Sequence, residues 1–331
     1  MNSSPKGGNK REYRRIHILP SLLTLGNFSC GFISIVLCLN AMFFVTRAQT
    51  LDLYTEGVEV SSAAVLSAGL ADGRGVRDAL TLSSPKGANA RSAYVFHLAC
   101  IIIFLGMVFD MLDGKVARHM GADSAFGTEL DSLADVTTFG VAPPVIVNTL
   151  WIAVMPTTSA WLGQVLVFGV IFAICAVLRL ARYNIQSGTA DKNIFSGLPS
   201  PAAAGCVVTA VLVAQGDYAF VEAFCGGIAN LIGPAMKPVQ IKANLLAIFL
   251  LLPGLLMVST VPFSHLANRY LSGKKSFAIL IFAVLLAALI WHEPRLMLFF
   301  LFNGYMLVGL LAFVRKKLSA SRVAKPTEQE G

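Results

Sequence analysis

Long apolar segments are the feature that most constrains this chain. Eight runs are long enough, or nearly so, to cross the hydrocarbon core of a bilayer, which takes about 20 helical residues. They lie at 18–46, 94–111, 132–155, 161–177, 200–214, 245–261, 277–291 and 296–314. With 56% hydrophobic and 13% charged residues, the chain lacks the polar surface that a soluble fold needs. The sequence therefore predicts an all-α integral membrane protein, a polytopic bundle of about eight transmembrane helices.

Lys and Arg residues indicate how this bundle is oriented, because the cytoplasmic flanks of membrane helices carry an excess of them. If both termini are cytoplasmic, 18 of the 26 basic residues fall on the inner side. These are Lys6, Lys10, Arg11, Arg14, Arg15, Lys115, Arg118, Arg179, Arg182, Lys192, Arg269, Lys274, Lys275, Arg315, Lys316, Lys317, Arg322 and Lys325. We therefore predict cytoplasmic termini and a basic inner face that contacts anionic membrane lipid. No basic stripe is interleaved with base-stacking aromatic residues, so we predict no nucleic-acid partner.

Polar stretches divide the chain into one membrane domain and its peripheral parts. Residues 1–13 and 318–331 are predominantly polar, and both are predicted to be disordered tails. The membrane domain covers 14–317 and contains a polar insertion at 47–93, which the orientation places on the extracytoplasmic side. We expect this insertion to lie far from the chemistry. The apolar segments at 200–214 and 277–291 are short, and either could be tilted, interfacial or re-entrant.

Four carboxylates lie beside the ends of the second and third apolar segments, in the stretch DMLDGKVARHMGADSAFGTELDSLAD at 110–135. Asp110 and Asp113 are three residues apart, and Asp131 and Asp135 are four apart, so each pair shares one helical face. An ionisable group at membrane depth is costly and indicates a functional site. Clustered carboxylates repel one another unless cations neutralise them, and oxygen ligands suit hard ions such as Mg²⁺ or Mn²⁺. The pattern predicts a metal site at the inner interface.

The residues between the two pairs suit a phosphate-bearing ligand. Gly114 allows a ligand to approach closely, and Ala117 and Gly127 keep the surroundings narrow. Lys115 and Arg118 supply positive charge, and the Arg fork matches phosphate oxygens. A lone DxxD is also typical of ordinary helix termini, and the two basic residues could be positive-inside residues. Two spaced pairs with Gly, Ala and Arg at fixed offsets favour the functional interpretation.

The same stretch resembles the signature of the CDP-alcohol phosphatidyltransferase family, DxxDGxxAR followed by eight residues and GxxxDxxxD. The matching positions are Asp110, Asp113, Gly114, Ala117, Arg118, Gly127, Asp131 and Asp135. The resemblance implies two divalent cations, Mg²⁺ or Mn²⁺, held by the four aspartates, with Asp135 a shared ligand or the catalytic general base. It also implies that the Gly, Ala and Arg positions bind the CDP group of a CDP-linked lipid. An alcohol would attack the lipid-side phosphorus, and CMP would leave.

The acceptor alcohol is indicated by other parts of the chain. The stretches ILPSLLTLGNFSCGF, LRLARYN, FSGLPSPAAAG and VSTVPFSH resemble the bacterial branch of this family that makes phosphatidylserine. The resemblance implies CDP-diacylglycerol and L-serine as substrates, a homodimer, and an active site at the cytoplasmic face of the inner membrane. L-Serine carries a carboxylate, and we predict that Arg182, together with Arg179, binds it. These two residues are three apart on one helical face, and they could equally be positive-inside anchors.

Other functions are compatible with carboxylates in a membrane protein. The same transfer to glycerol 3-phosphate, inositol or choline would keep the signature and change only the acceptor. An intramembrane prenyltransferase also uses Asp-rich helices and Mg²⁺, but its aspartate spacing differs and DGxxAR would have no role. A divalent-cation transporter places its acids near the midplane, often in two repeated halves, whereas these acids form one cluster at the helix ends. We therefore favour phosphatidyl transfer to L-serine.

Overall fold

The fold is a bundle of helices. The computed structural model describes residues 18–57, 85–120, 125–155, 162–187, 197–216, 218–232, 237–261, 263 and 292–323. In chain order the helices are α1 (Ile18–Gly57), α2 (Pro85–Met120), α3 (Ala125–Asp135), α4 (Ala142–Val154), α5 (Leu162–Ser187), α6 (Ser200–Ala214), α7 (Ala219–Ile232), α8 (Pro238–Phe249), α9 (Leu251–Val258) and α10 (Pro294–Val323). A π-helical turn at Val136–Val141, the π-segment, joins α3 to α4. These ranges contain no strand.

Six helical stretches within the described ranges are long and apolar enough to cross a membrane. They are Leu19–Phe43, Ser92–Val116, Phe126–Val154, Leu162–Ile185, Pro238–Val258 and Pro294–Arg315. A seventh is added if α6 and α7, which meet at 84°, form one bent span. The predicted all-helical, multi-pass membrane fold is confirmed, while the apolar segment predicted at 277–291 lies outside the described residues.

Several boundaries differ from those expected from the sequence. α1 continues to Gly57 and α2 begins at Pro85, so helix extends into both ends of the insertion predicted at 47–93. α10 continues to Val323, past residue 318, where the C-terminal tail was expected to begin. A helix satisfies its own backbone, so its ends need not coincide with the limits of the apolar side chains. The sequence analysis also missed α7, because its 14 residues are too few to cross a bilayer upright. The tail predicted at 1–13 lies outside the described residues.

Small residues bring α1, α2 and the π-segment into close contact. A Cβ atom at Gly31 of α1 would lie 2.7 Å from the Cα atom of Thr138. A Cβ atom at Gly106 of α2 would lie 2.8 Å from Cγ2 of the same threonine. Ser34 also donates a hydrogen bond to the carbonyl oxygen of Ala99 at 3.1 Å, which joins α1 to α2. Close packing and interhelical hydrogen bonds of this kind hold helices together where lipid replaces water.

A second contact region joins the segment before α6 to the end of α9. Gly197 has a φ of 95°, and its N–H donates to the Val261 carbonyl at 2.8 Å. The N–H of Leu198 donates to the Leu256 carbonyl at 2.9 Å. A Cβ atom at Gly197 would collide with the Met257 carbonyl oxygen, and the left-handed φ itself favours glycine. The beginning of α6 is therefore held against the end of α9.

The centre of the bundle is filled by large buried side chains. The largest fully buried side chains include Trp151, Phe139 and Phe172, from α4, the π-segment and α5. The indole Nε1 of Trp151 donates to Oδ1 of Asn244 in α8 at 2.7 Å, which satisfies a polar group that would otherwise be buried alone. One side of the π-segment thus packs against the core. This packing fixes its position, together with its covalent connections to α3 and α4.

Candidate active site

Polar side chains from several helices meet at one end of the bundle. α2 carries Asp110 and Asp113 toward its C-terminal end, and α3 carries Asp131 and Asp135. Asn27, from the first half of α1, reaches the same place, where its Nδ2 donates to Oδ1 of Asp135 at 3.2 Å. Four carboxylates predicted from the signature to share one pocket are therefore brought together in the structure.

Three of these acids form what we call the carboxylate triad: Asp110, Asp113 and Asp131. One ligand oxygen from each lies within 4.8 Å of those of the other two. Oxygens on opposite sides of one Mg²⁺ ion are about 4.2 Å apart, so the triad is already close to a coordinating arrangement. The spacing of the acids predicted a metal site here, and the family resemblance assigned these three acids, together with Asp135, as its ligands.

Two oxygens of the triad are buried without a hydrogen-bond partner among the described residues. Asp113 is only 5% exposed, and its Oδ2 is buried without a hydrogen-bond partner in the described ranges. Oδ1 of Asp131 is likewise buried and has no hydrogen-bond partner among the described residues. The ion pair formed by described side chains lies elsewhere, between Lys242 and Glu222. Because buried unpaired carboxylates are costly, the donor set fits a hard divalent cation such as Mg²⁺ or Mn²⁺.

Asp135 differs from the triad in its partners. It is 8% exposed, and its carboxyl group lies within hydrogen-bond reach of Asp110. Its Oδ1 accepts the hydrogen bond from Asn27, and the guanidinium of Arg179 faces both Asp135 and Asp110. The sequence predicted Asp135 as a fourth ligand and as the catalytic residue; the structure places it beside the triad with an amide and a guanidinium of its own.

The π-segment determines where the chain goes immediately after Asp135. It begins at Val136, and its wider turn is a feature found often at functional sites. Thr138 within it donates from Oγ1 to the carbonyl oxygen of Asn27 at 2.8 Å. Pro143 stands at the start of α4, where a missing N–H is tolerated. Hydrogen bonds of Asp135 and Thr138 therefore tie this part of the chain to Asn27 of α1.

The two arginines predicted to bind the acceptor have different partners. Arg179 donates from Nη1 to Oγ of Ser200, the first residue of α6, at 2.7 Å, and it faces Asp135. Arg182 donates from Nη1 to the Val258 carbonyl at the end of α9, at 3.0 Å. The structure therefore brings Arg179 to the carboxylates, whereas the hydrogen bond of Arg182 ties α5 to α9.

The predicted CDP-binding residues lie on both sides of the connection between α2 and α3. Gly114 follows Asp113 in α2, and Gly127 lies in the first turn of α3. Ala117 and Arg118 belong to the last part of α2, but their side chains lie outside the part of the chain that the structure describes. A role for these four residues in nucleotide binding stays a prediction.

The sequence analysis missed two residues that contact the site, Asn27 and Ser200. Asn27 is fully buried within a span of apolar residues. A polar amide at membrane depth was the signal that could have found it, because such groups are paired or functional. Ser200 gave no signal of its own, since its link to Arg179 joins residues from different helices.

Comparison with known proteins agrees with the signature. The family model for CDP-alcohol phosphatidyltransferase matches residues 80–264, which include all four aspartates. A Helicobacter pylori (strain J99) protein named CDP-diacylglycerol–serine O-phosphatidyltransferase is 32% identical over 224 residues, 67% of this chain and 82% of that protein. A Methanocaldococcus jannaschii protein of the same name is 32% identical over 214 residues, 65% of this chain and 83% of that protein.

A third relative, named archaetidylserine synthase, comes from Methanothermobacter thermautotrophicus. It is 36% identical over 127 residues, 35% of this chain and 51% of that protein. The extent of the family match, together with relatives aligned over most of their length, decides the class. This chain belongs to the CDP-alcohol phosphatidyltransferase family, as the signature predicted.

Proposed function

We propose that this chain transfers the phosphatidyl group of CDP-diacylglycerol to the hydroxyl of L-serine, forming phosphatidylserine and CMP. The observation that carries the proposal is the carboxylate triad, whose ligand oxygens lie within 4.8 Å of one another. It occurs in a chain whose relatives from Helicobacter pylori and Methanocaldococcus jannaschii are named for transfer to serine.

The triad is the proposed metal centre. Asp110, Asp113 and Asp131 would hold the divalent cations, Mg²⁺ or Mn²⁺, and we assign two ions because the family resemblance implies two. When bound, the ions supply positive charge to the diphosphate and to the leaving CMP. The unpartnered oxygens of Asp113 and Asp131 support this assignment, because they have no other compensation among the described residues.

Asp135 is the proposed general base. We assign to its carboxylate, whose Oδ1 accepts the hydrogen bond from Asn27, the proton from the serine hydroxyl. The serine oxygen then bonds to the phosphorus that carries diacylglycerol. The bond from this phosphorus to the bridging oxygen of the diphosphate breaks, and CMP leaves with that oxygen and its electron pair. The burial of Asp135 keeps water from competing for the proton transfer.

Arg179 is the proposed binding site for the serine carboxylate. A guanidinium carries five N–H donors, and the described contact with Ser200 uses Nη1 alone. Because Arg179 also faces Asp135, a carboxylate held by this guanidinium would bring its own hydroxyl near the general base. Inositol and choline lack a carboxylate, so this contact favours serine. Arg182 is assigned a supporting role, through the hydrogen bond that holds α5 to α9.

The remaining parts of the proposal concern the nucleotide and the membrane. Gly114, Ala117, Arg118 and Gly127 are assigned to the CDP group, since they lie in the family signature between the aspartate pairs. The site is assigned to the cytoplasmic face of the inner membrane, because 18 of the 26 basic residues fall on that side. Binding of anionic lipid and formation of a homodimer stay predictions of the sequence.

The experiment that tests the function is CMP release by the purified full chain in detergent with CDP-diacylglycerol and Mn²⁺ or Mg²⁺. We expect release with L-serine and not with glycerol 3-phosphate, inositol or choline, and phosphatidylserine as the product by mass spectrometry. A chelator should stop the reaction. Release with another alcohol would overturn the acceptor, and no release with any of them would overturn the phosphatidyl transfer.

A further inference from the structure

We propose that Asn27 is a positioning residue, which aligns the carboxylate of Asp135 for proton transfer from the acceptor hydroxyl. The inference rests on the proposed function, because it takes Asp135 as the general base. It adds a role for α1, a helix that contributes no residue to the carboxylate triad.

The contact between the two residues is short-range in space and long-range in sequence. Nδ2 of Asn27 donates to Oδ1 of Asp135 at 3.2 Å, across 108 positions of the chain. Asn27 is 0% exposed, so bulk water does not compete for this hydrogen bond. A donor to one carboxylate oxygen restricts rotation of the group, so it fixes the direction in which the other oxygen points.

Asn27 is itself braced from the opposite side. The Thr138 hydroxyl, three residues beyond Asp135, donates to the Asn27 main-chain carbonyl at 2.8 Å. Gly31 and Gly106 have no side chain where they face this threonine, so α1, α2 and the π-segment approach closely there. Thr138 therefore holds the main chain of Asn27, and the side chain of Asn27 holds the carboxylate of Asp135. Two hydrogen bonds arranged in this way fix the orientation of the Asp135 carboxylate as well as its distance from Asn27.

The other end of the amide shows that Asn27 is not optimal for stability. Its Oδ1 is buried and has no hydrogen-bond partner among the described residues. A buried acceptor left unpaired is destabilising, and an apolar residue of similar shape would avoid that loss. Leucine has the branching pattern of asparagine, although it is larger, and it is compatible with a membrane helix. The polar residue at this place is therefore explained by the carboxylate it orients rather than by packing.

The test compares two substitutions of the same kind, Asn27→Leu and Asn303→Leu. Asn303 is a matched control: it is 6% exposed, its Nδ2 donates to Oγ1 of Thr209 at 3.2 Å, and its Oδ1 is buried without a partner in the described ranges. It belongs to α10 and faces α6, away from the carboxylates. The measurements are kcat, KM for both substrates, Mn²⁺ affinity by electron paramagnetic resonance, and the thermal midpoint.

We expect Asn27→Leu to lower kcat about 100-fold, the scale of a disturbed general base. KM for both substrates and the Mn²⁺ affinity should stay within about threefold of wild type, and the thermal midpoint should fall no further than that of Asn303→Leu, which adds the same volume. Asn303→Leu should leave kcat within about twofold. A kcat for Asn27→Leu within about threefold of wild type would overturn the proposal. A loss that appears equally in KM or in Mn²⁺ affinity would also overturn it, because the residue would then serve binding.

A second variant decides the matter if Asn27→Leu does not fold. Thr138→Val keeps the shape of the side chain and removes only the hydroxyl that braces Asn27. A fall in kcat of about tenfold at unchanged KM supports the proposal, and an unchanged kcat overturns it. Serine-dependent CMP release by the wild-type protein in the same preparation tests the proposed function separately. Its absence would reject the function, whereas active Asn27 variants would reject only the alignment role.

Discussion

Asp113 shows how single residues define this site. It is the most buried member of the triad, and one of its oxygens has no partner in the described part of the chain. Elsewhere, between α7 and α8, an acid is paired with a base: Glu222 with Lys242. A protein that gained stability from its acids would pair them in the same way. The triad instead holds negative charge ready for a cationic ligand, at a cost to the metal-free fold.

Removing one of these charges should separate metal binding from stability. We expect Asp113→Asn to lower Mn²⁺ affinity by at least about tenfold and to abolish CMP release. Because the amide relieves repulsion among the acids, the metal-free variant should unfold at a higher temperature than metal-free wild type. Mn²⁺ titration and thermal unfolding measure both effects, with Glu222→Gln as the control, which should leave the Mn²⁺ affinity unchanged and should not raise the thermal midpoint. Unaltered Mn²⁺ affinity in Asp113→Asn would contradict the metal assignment.

The two arginines should also respond differently to the same change. Lysine keeps the charge and loses the fork, so Arg179→Lys should raise KM for L-serine about tenfold while KM for CDP-diacylglycerol stays constant. Arg182→Lys should change KM for L-serine by less than about threefold, because its described contact is with the Val258 carbonyl. Initial rates over a serine series measure both. Equal shifts in the two variants would show that Arg179 has no special role in acceptor binding.

Among the larger elements, the π-segment and the glycines beside it connect the core to the site. Val136–Val141 follows Asp135 directly, and Thr138 within it contacts α1 and α2 at positions where those helices have glycine. A side chain at either glycine would push a helix away from the π-segment. The geometry of Asp135 therefore depends on how closely three elements approach one another.

Alanine at two glycines tests this dependence. At Gly31 a Cβ atom would lie 2.7 Å from Cα of Thr138, a backbone atom that cannot turn aside. We expect Gly31→Ala to destabilise the protein by about 1–3 kcal/mol and to lower kcat. Gly163 in α5 has nothing within 4 Å of an added Cβ, so Gly163→Ala should be neutral or slightly stabilising. Thermal unfolding in detergent compares the pair; equal midpoints would argue against close packing at Gly31.

Sequence alone predicted the elements and residues that depend on local patterns. Hydropathy located six of the helices that can span a membrane, and spacings of three and four located the carboxylate pairs. The rest depends on contacts between distant parts of the chain. The bond from Asn27 to Asp135 crosses 108 positions, and the π-segment leaves no mark in the apolar run that contains it. The short helix α7 was missed because its length, not its composition, fell below that of a span.

For the whole molecule, the directions of the helices place the chemistry at one end. α5 ends, α6 begins and α9 ends beside one another, through the contacts of Arg179, Arg182 and Gly197. Lys237 precedes α8, which continues into α9, so it lies at the opposite end. Lys317 follows the apolar part of α10 at the site end. Both lysines are exposed, and the six cysteines are all buried.

This arrangement makes the orientation measurable. A membrane-impermeant maleimide applied to intact spheroplasts should label Lys237→Cys and leave Lys317→Cys unlabelled. In inverted vesicles the pattern should reverse, and wild type should give little background because its own cysteines are buried. Both variants should keep their activity, since neither lysine contacts the carboxylates. Labelling of Lys317→Cys from outside would place the site on the other face of the membrane.

The connection between α1 and α2 has a consequence for how such a chain can grow. Asn27 lies in the first half of α1, and the α2 aspartates lie near the end of that helix. α1 therefore ends and α2 begins at the end of the bundle remote from the carboxylates. A change in the length of the chain between Gly57 and Pro85 should leave the kinetics unaltered. A reporter domain inserted there should leave kcat and KM of the protein unchanged.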